Sequence, residues 1–153
     1  MDLTTFTERI SALTSVLSGV SPDDPNAVAL LDELAPFDGD LVQGIVEDAL
    51  TGSRDGWLLT KEQGGIRFGR VAKDSDGFSV DAVWMASAGP GHCHPRGEID
   101  LLIPLDGAPD FDGHGSGWAV YPSGSVHVPE VTGGSMLILY FLPGGEIEWV
   151  TGS

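Results

Sequence analysis

Two short stretches of the chain carry side chains able to hold a metal ion. Residues 92–98 read His92-Cys93-His94-Pro95-Arg96-Gly97-Glu98, and residues 122–127 read Pro122-Ser123-Gly124-Ser125-Val126-His127. Side chains alternate between the two faces of a strand, so His92 and His94 share one face and Cys93 takes the other. Pro95 and Gly97 suit a tight turn, because proline presets φ and glycine tolerates whatever φ the turn requires, and Glu98 can then return toward the imidazoles. His127 follows a Pro-x-Gly turn in a second β-rich stretch and supplies a fourth donor. A His-x-His pair alone is a common chance arrangement on a half-exposed strand. Joined to Glu98 and His127, it forms a set of nitrogen and oxygen donors suited to a catalytic divalent cation. Donor type does not choose among iron, manganese, nickel and zinc, since geometry and availability decide that.

Such donors need strands to hold them, and the chain changes texture near residue 55 to provide them. Beyond that point it consists of short β runs separated by Gly, Pro and Asp. Trp57 to Thr60, Ile66 to Val71, Phe78 to Met85, Ile99 to Leu105, Trp118 to Tyr121 and Met136 to Leu142 read as strands of an antiparallel sandwich or barrel. Such a fold closes around a small cavity, which Trp84, Trp118, Tyr121, Tyr140 and Phe141 are placed to line or to support as core. Before residue 55, Phe6, Ile10, Leu13 and Leu17, then Val28, Leu31 and Leu34, then Leu41, Val42, Ile45, Val46, Ala49 and Leu50 recur at helical spacing. Three short helices follow, the second capped by Asp23 or Asp24 with Pro25 near its first turn. The third starts at Asp38-Gly39-Asp40 and stops at Gly52. Residues 52–56 then mark a boundary too short to separate independent domains. The organisation expected is a helical segment, 1–55, packed on a β-barrel unit, 56–153.

Composition excludes several functions. Seven Lys and Arg against 23 Asp and Glu give a formal net charge of −16 over 153 residues, which repels phosphate backbones and anionic membrane surfaces. Nucleic acid and membrane are therefore excluded as partners. An anionic small molecule would need local positive charge from an arginine or a metal. The single cysteine excludes an internal disulfide, and Met1-Asp2-Leu3-Thr4-Thr5 lacks the basic and apolar regions of a signal peptide. A soluble cytoplasmic protein is expected. Cys93 should be a small buried hydrophobe behind the histidines, and His114, in Asp112-Gly113-His114-Gly115-Ser116-Gly117, a loop residue.

The His-x-His-x-x-x-Glu and Pro-x-Gly-x-x-His elements resemble the two motifs of the cupin superfamily, and this resemblance covers roughly residues 57–150. It implies a double-stranded β-helix, or jelly roll, and commonly a homodimer. The sequence departs from the superfamily pattern in its flanking glycines and in Val131, where an Asn is expected. A narrower resemblance rests on His94-Pro95-Arg96-Gly97-Glu98-Ile99-Asp100, Ile103-Pro104-Leu105-Asp106, Pro129-Glu130-Val131-Thr132-Gly133-Gly134 and Phe141-Leu142-Pro143-Gly144-Gly145. These stretches are similar to the family that includes 4-hydroxylaminobenzoate lyase.

That resemblance implies a lyase in aromatic compound degradation. It converts 4-hydroxylaminobenzoate and water to 3,4-dihydroxybenzoate and ammonia, needing neither nicotinamide nor oxygen. A divalent metal at His92, His94, Glu98 and His127 would serve as Lewis acid or lower the pKa of a bound water. Glu130 is a candidate for moving protons, against the plainer reading of a surface carboxylate. Arg96, Arg67 and Arg70 are the arginines available to a substrate carboxylate, and Arg96 lies nearest the ligands in sequence. The same ligands would also serve a cupin-type metal-dependent dioxygenase, or a non-catalytic cupin that binds a small molecule.

Overall fold

The computed structural model of the chain describes residues 1–149. Residues 150–153, the end of the expected β unit, lie outside the described residues. Three helices come first: α1 (Leu3–Leu17), α2 (Ala27–Leu34) and α3 (Asp40–Asp55). Asp2 caps α1 by accepting the Thr5 backbone N–H at 2.9 Å, and Phe6, Ile10, Leu13 and Leu17 form its fully buried stripe. Two boundaries differ from expectation. α2 starts after Asn26 rather than at Asp23 or Asp24, because the Asp24 carboxylate is taken by the Asn26 N–H in the preceding turn. α3 runs through Gly52, where no Cβ would fit against the Trp57 ring, and ends at Gly56 with φ +89°. Residues 52–55 are thus helix, and Gly56, not Gly52, makes the left-handed stop.

The strands are β1 (Lys61–Gln63), β2 (Ile66–Ser75), β3 (Phe78–Met85), β4 (His92–His94), β5 (Glu98–Phe111), β6 (Gly117–Tyr121), β7 (Ser125–His127), β8 (Val131–Pro143) and β9 (Glu148–Trp149). Trp57 to Thr60 is not a strand, and β5 and β8 extend well past their expected ends. One sheet has the order β1-β2-β3-β8-β5-β6 and the other β7-β4-β9, with every pairing antiparallel. The protein is mainly β, a cupin-type jelly roll preceded by helices.

The large sheet has two apolar faces, which explains why its central strands read as nearly continuous hydrophobic runs. On one face Val80, Ala82, Ile99, Leu101, Leu137, Leu139 and Phe141 pack with the helical stripes in one core. Of the aromatics placed to line the cavity or to support it as core, Trp118 and Phe141 belong to this helix-side core, and Trp84 packs against it. The other face carries Met85, Leu102, Met136, Ile138 and Tyr140 and looks into the barrel. Polar contacts tie helices to strands: the buried Trp118 Nε1–H donates to the Ala35 carbonyl at 2.8 Å, and Thr14 Oγ1 meets Ser75 Oγ at 2.7 Å. Among the described residues no helix is long and apolar enough to cross a membrane.

Replacing Trp118 by Phe keeps the ring and strands the Ala35 carbonyl. Stability should fall by about 1–3 kcal/mol, the cost of a buried acceptor left unpaired. Chemical denaturation of W118F followed by far-UV circular dichroism and by tryptophan fluorescence checks this. Both signals should move together to a lower midpoint, because helices and sheet share one core.

Candidate metal centre

β4 is three residues long, and its register places the donors. His92 pairs directly with His127 on β7, so two imidazoles face each other across adjacent strands, while His94 lies two positions along on the same face. Gly97 makes the connecting turn with φ +88° and donates its N–H to the His94 carbonyl at 3.1 Å. The chain then enters β5 with Glu98 pointing inward. His92, His94 and Glu98 are buried and His127 nearly so, and donor atoms from all four lie within 4.8 Å of one another.

Glu98 is the hub. Its Oε1 is 3.7 Å from His92 Nε2 and 3.3 Å from His94 Nδ1, and its Oε2 is 3.7 Å from His127 Nε2. These separations are too long for good hydrogen bonds. They match the roughly 3–4 Å between donors that each sit about 2.1 Å from a shared cation. His92 Nε2, both His94 nitrogens, both Glu98 oxygens and His127 Nε2 are buried without hydrogen-bond partners. A single divalent cation would take one nitrogen from each histidine and the Glu98 carboxylate, which accounts for all of these atoms except the second His94 nitrogen.

The surroundings set the tautomers. His92 Nδ1 lies 3.1 Å from the Pro90 carbonyl, which only accepts, so Nδ1 carries the proton and Nε2 keeps its lone pair for a metal. His127 Nδ1–H donates to Asp112 Oδ2 at 2.8 Å, leaving its Nε2 directed at Glu98. Asp112 Oδ2 also accepts from the Tyr121 hydroxyl at 2.9 Å, and the Tyr121 ring stacks on His127 with centroids 4.2 Å apart. A carboxylate behind a ligating histidine fixes the ring and raises its basicity.

Burial alone would raise the pKa of Glu98. Contacts with His127, His92 and Asp100 and the charge of His94 reverse this and hold it down to about 2. Burial pushes His94 down to about 4 against the pull of Glu98. Burial also works against protonation of His127, yet Glu98 and Asp112 outweigh it and its pKa rises. Asp100, fully buried two residues beyond Glu98 on the same face, is pushed well up by burial and by the Glu98 charge.

Other expected residues lie elsewhere. Arg96 is 61% exposed, pairs with Glu146 at 3.5 Å and lines a separate cavity of about 360 Å³ with Asp23 and Asp76. Glu130 is exposed, and its backbone N–H donates to Asp112 Oδ1 at 3.2 Å. Cys93 is half-exposed rather than core, because its register partners, Val126 and Glu148, are themselves exposed on the outer face of the small sheet. His114 is an exposed turn residue. Sequence reasoning missed Asp112 and Asp100. Strand alternation from Glu98 would have found Asp100, whereas Asp112 reaches His127 only through the fold.

A cavity of about 730 Å³ opens onto the donors: His92 and Glu98 line it together with Ile66, Phe68, Val83, Met85, Tyr140, Leu142 and Ile147. Trp149, opposite His92 on β9, stands edge-on to the imidazole with centroids 5.7 Å apart. The arrangement can hold a cation beneath a small, largely apolar molecule.

Metal affinity should weaken on acidification. Glu98 stays ionised and His94 neutral between pH 7 and 5, so His127, whose pKa is raised, is the first of these three claimed by protons as pH falls. Asp112→Asn removes the carboxylate yet suits the left-handed φ of +49° at this position. Metal titrations should show D112N binding roughly 10–100-fold more weakly at neutral pH. Its acid-induced loss should begin at lower pH than in the wild type, with an unchanged circular dichroism spectrum.

Comparison with known proteins identifies the relatives of this chain. A family model described as PnbB, 4-hydroxylaminobenzoate lyase, matches residues 8–149. The 4-hydroxylaminobenzoate lyase of Nocardioides sp. strain LMS-CY is 36% identical over 121 residues, covering 71% of this chain and 70% of that protein. The 4-hydroxylaminobenzoate lyase of Pseudomonas putida is 30% identical over 133 residues, covering 73% and 76%. Among solved structures, an RmlC-like cupin protein from Ralstonia eutropha JMP134 is 13% identical with a TM-score of 0.46, covering 62% of this chain and 66% of that one. On the strength of the family match and these two relatives, the chain belongs to the 4-hydroxylaminobenzoate lyase family.

Proposed function

We propose that the protein is a metal-dependent lyase that converts 4-hydroxylaminobenzoate and water to 3,4-dihydroxybenzoate and ammonia. The observation that carries this reading is a His92, His94, Glu98, His127 donor set, of which His92 and Glu98 line a largely apolar cavity, in a chain of that family. When bound there, a divalent cation supplies Lewis acidity for the departing hydroxyl and lowers the pKa of a water.

The protein's own side chains would do the rest. Met85, Val83, Tyr140 and Leu142 offer an apolar slot for an aromatic ring and exclude bulk water from it. Glu98 contributes the one formal negative charge among the four donors, which offsets part of the cation's charge in a buried site. Asp112 and Tyr121 hold the His127 ring in place from behind. The reaction is redox-neutral overall, so no external electron acceptor is needed.

Anaerobic incubation with 4-hydroxylaminobenzoate, with chromatography for 3,4-dihydroxybenzoate and an ammonia assay, tests the reading. Equal amounts of the two products should form without oxygen, disappear after chelation and return on adding metal. Glu98→Gln should cut turnover by about 100-fold or more while leaving the fold intact, since it removes a ligand rather than a supporting contact. Product that requires oxygen would favour a dioxygenase instead.

A further inference from the structure

A protein of net charge −16 that takes an aromatic carboxylate must hold a local cation for it, and the cavity contains one. Of the arginine and lysine side chains, Arg70 alone is among those lining the 730 Å³ cavity. Arg67 lies three residues earlier on β2, registers with Trp84 and points to the opposite face, while Arg96 lines the other cavity. Arg70 Nε donates to Asp81 Oδ1 at 2.6 Å. That bond uses one edge of the guanidinium and leaves the terminal amino groups as a planar fork of the kind that matches a carboxylate.

The register gives the scale. Arg70 pairs with Asp81, Asp81 with Tyr140 and Tyr140 with Asp100, so one polar row crosses an otherwise apolar face from β2 to β5. Strands about 4.8 Å apart put the backbones at its two ends about 14 Å apart. Glu98 occupies the next same-face position beside Asp100. The Arg70 side chain lines the cavity while 56% exposed, so it stands at the open end of this row, and the distance from there to Glu98 is long enough for one aromatic ring and its two para substituents.

We propose that Arg70, positioned by Asp81, is the carboxylate-binding residue of the cavity and sets its specificity for planar aromatic acids whose reacting group lies para to the carboxylate. This rests on the proposed lyase reading for the identity of the reacting group. The competing explanation is a cross-strand surface ion pair that contributes little and touches no ligand. The two differ in what happens to a ligand when Arg70 is changed.

The test uses unreactive probes, 4-hydroxybenzoate and its neutral counterpart 4-hydroxybenzamide, titrated calorimetrically into the full-length protein. Wild type should prefer the acid by roughly 10–100-fold, the worth of a charge-assisted bidentate pair. Arg70→Gln should weaken binding of the acid far more than binding of the amide and so lose that preference, and Arg70→Lys should keep only part of it. Unchanged acid binding by R70Q, or no preference in the wild type, would overturn the proposal. Turnover of 4-hydroxylaminobenzoate separates the two readings. If the wild type forms no product yet shows an Arg70-dependent preference for the acid, the reaction is wrong and the carboxylate site stands. If product forms and R70Q keeps the wild-type KM, the carboxylate site is wrong and the reaction stands.

Discussion

Burying an ionised carboxylate with no partner is among the most costly things a fold can do, and Glu98 is fully buried. Three imidazoles surround it at 3.3–3.7 Å, close enough to interact and too far to satisfy its oxygens by good hydrogen bonds. The four donors lie within 4.8 Å of one another, a set suited to holding a divalent cation. Much else in the molecule serves this convergence: the three-residue β4, the direct opposition of His92 and His127, and the Asp112 carboxylate that fixes the last imidazole.

The same sheet that carries Glu98 has to solve a packing problem. One face closes on the helices with large apolar side chains, and the other lines the cavity, also with apolar side chains but with a polar row through it. Alternation along β5 makes this possible, because Ile99 and Leu101 go to the helices while Glu98 and Asp100 go inward. A shift of register by one residue would bury the carboxylates among the helices and turn Ile99 and Leu101 to the cavity. The long β5–β8 pairing, running from Ile99↔Phe141 to Phe111↔Val131, makes such a slip costly.

The sequence revealed the donors because their types and spacing are local facts: His-x-His on a strand, a turn, a glutamate, a second turn and a histidine. The strand Phe78–Met85 was legible to the residue because alternation and flanking turns agreed there. Residues 57–60 were misread because their apolar character serves packing around Trp57 and not a ladder. Arg96 illustrates a different limit. Proximity in sequence suggested proximity in space, yet the turn that swings Glu98 inward sends its neighbour toward Glu146. Arg70, 22 residues before His92, reaches the cavity only because β2 joins the sheet two strands from β8. No local pattern encodes that.

The helical leader is more than a cover for the sheet. Its connection between α1 and α2 touches both turns that deliver the ligands. Pro22 lies so close to Gly97 that a Cβ at 97 would meet its Cβ at 2.5 Å, and Gly97 is the turn residue immediately before Glu98. One residue on, Asp23 accepts from the Ser123 N–H and the Ser123 hydroxyl, both at 2.8 Å, in the Pro-x-Gly turn that precedes His127. Two adjacent leader residues thus bear on the two chain reversals whose relative placement sets the separation of Glu98 from His127. Loops between strands are usually the least constrained parts of a fold. Here both are held by contacts more than 70 residues away in sequence, since Pro22 to Gly97 spans 75 positions and Asp23 to Ser123 spans 100. A donor set that must converge within a few ångströms needs that restraint, because a metal site loosened by 1 Å no longer fits its ion.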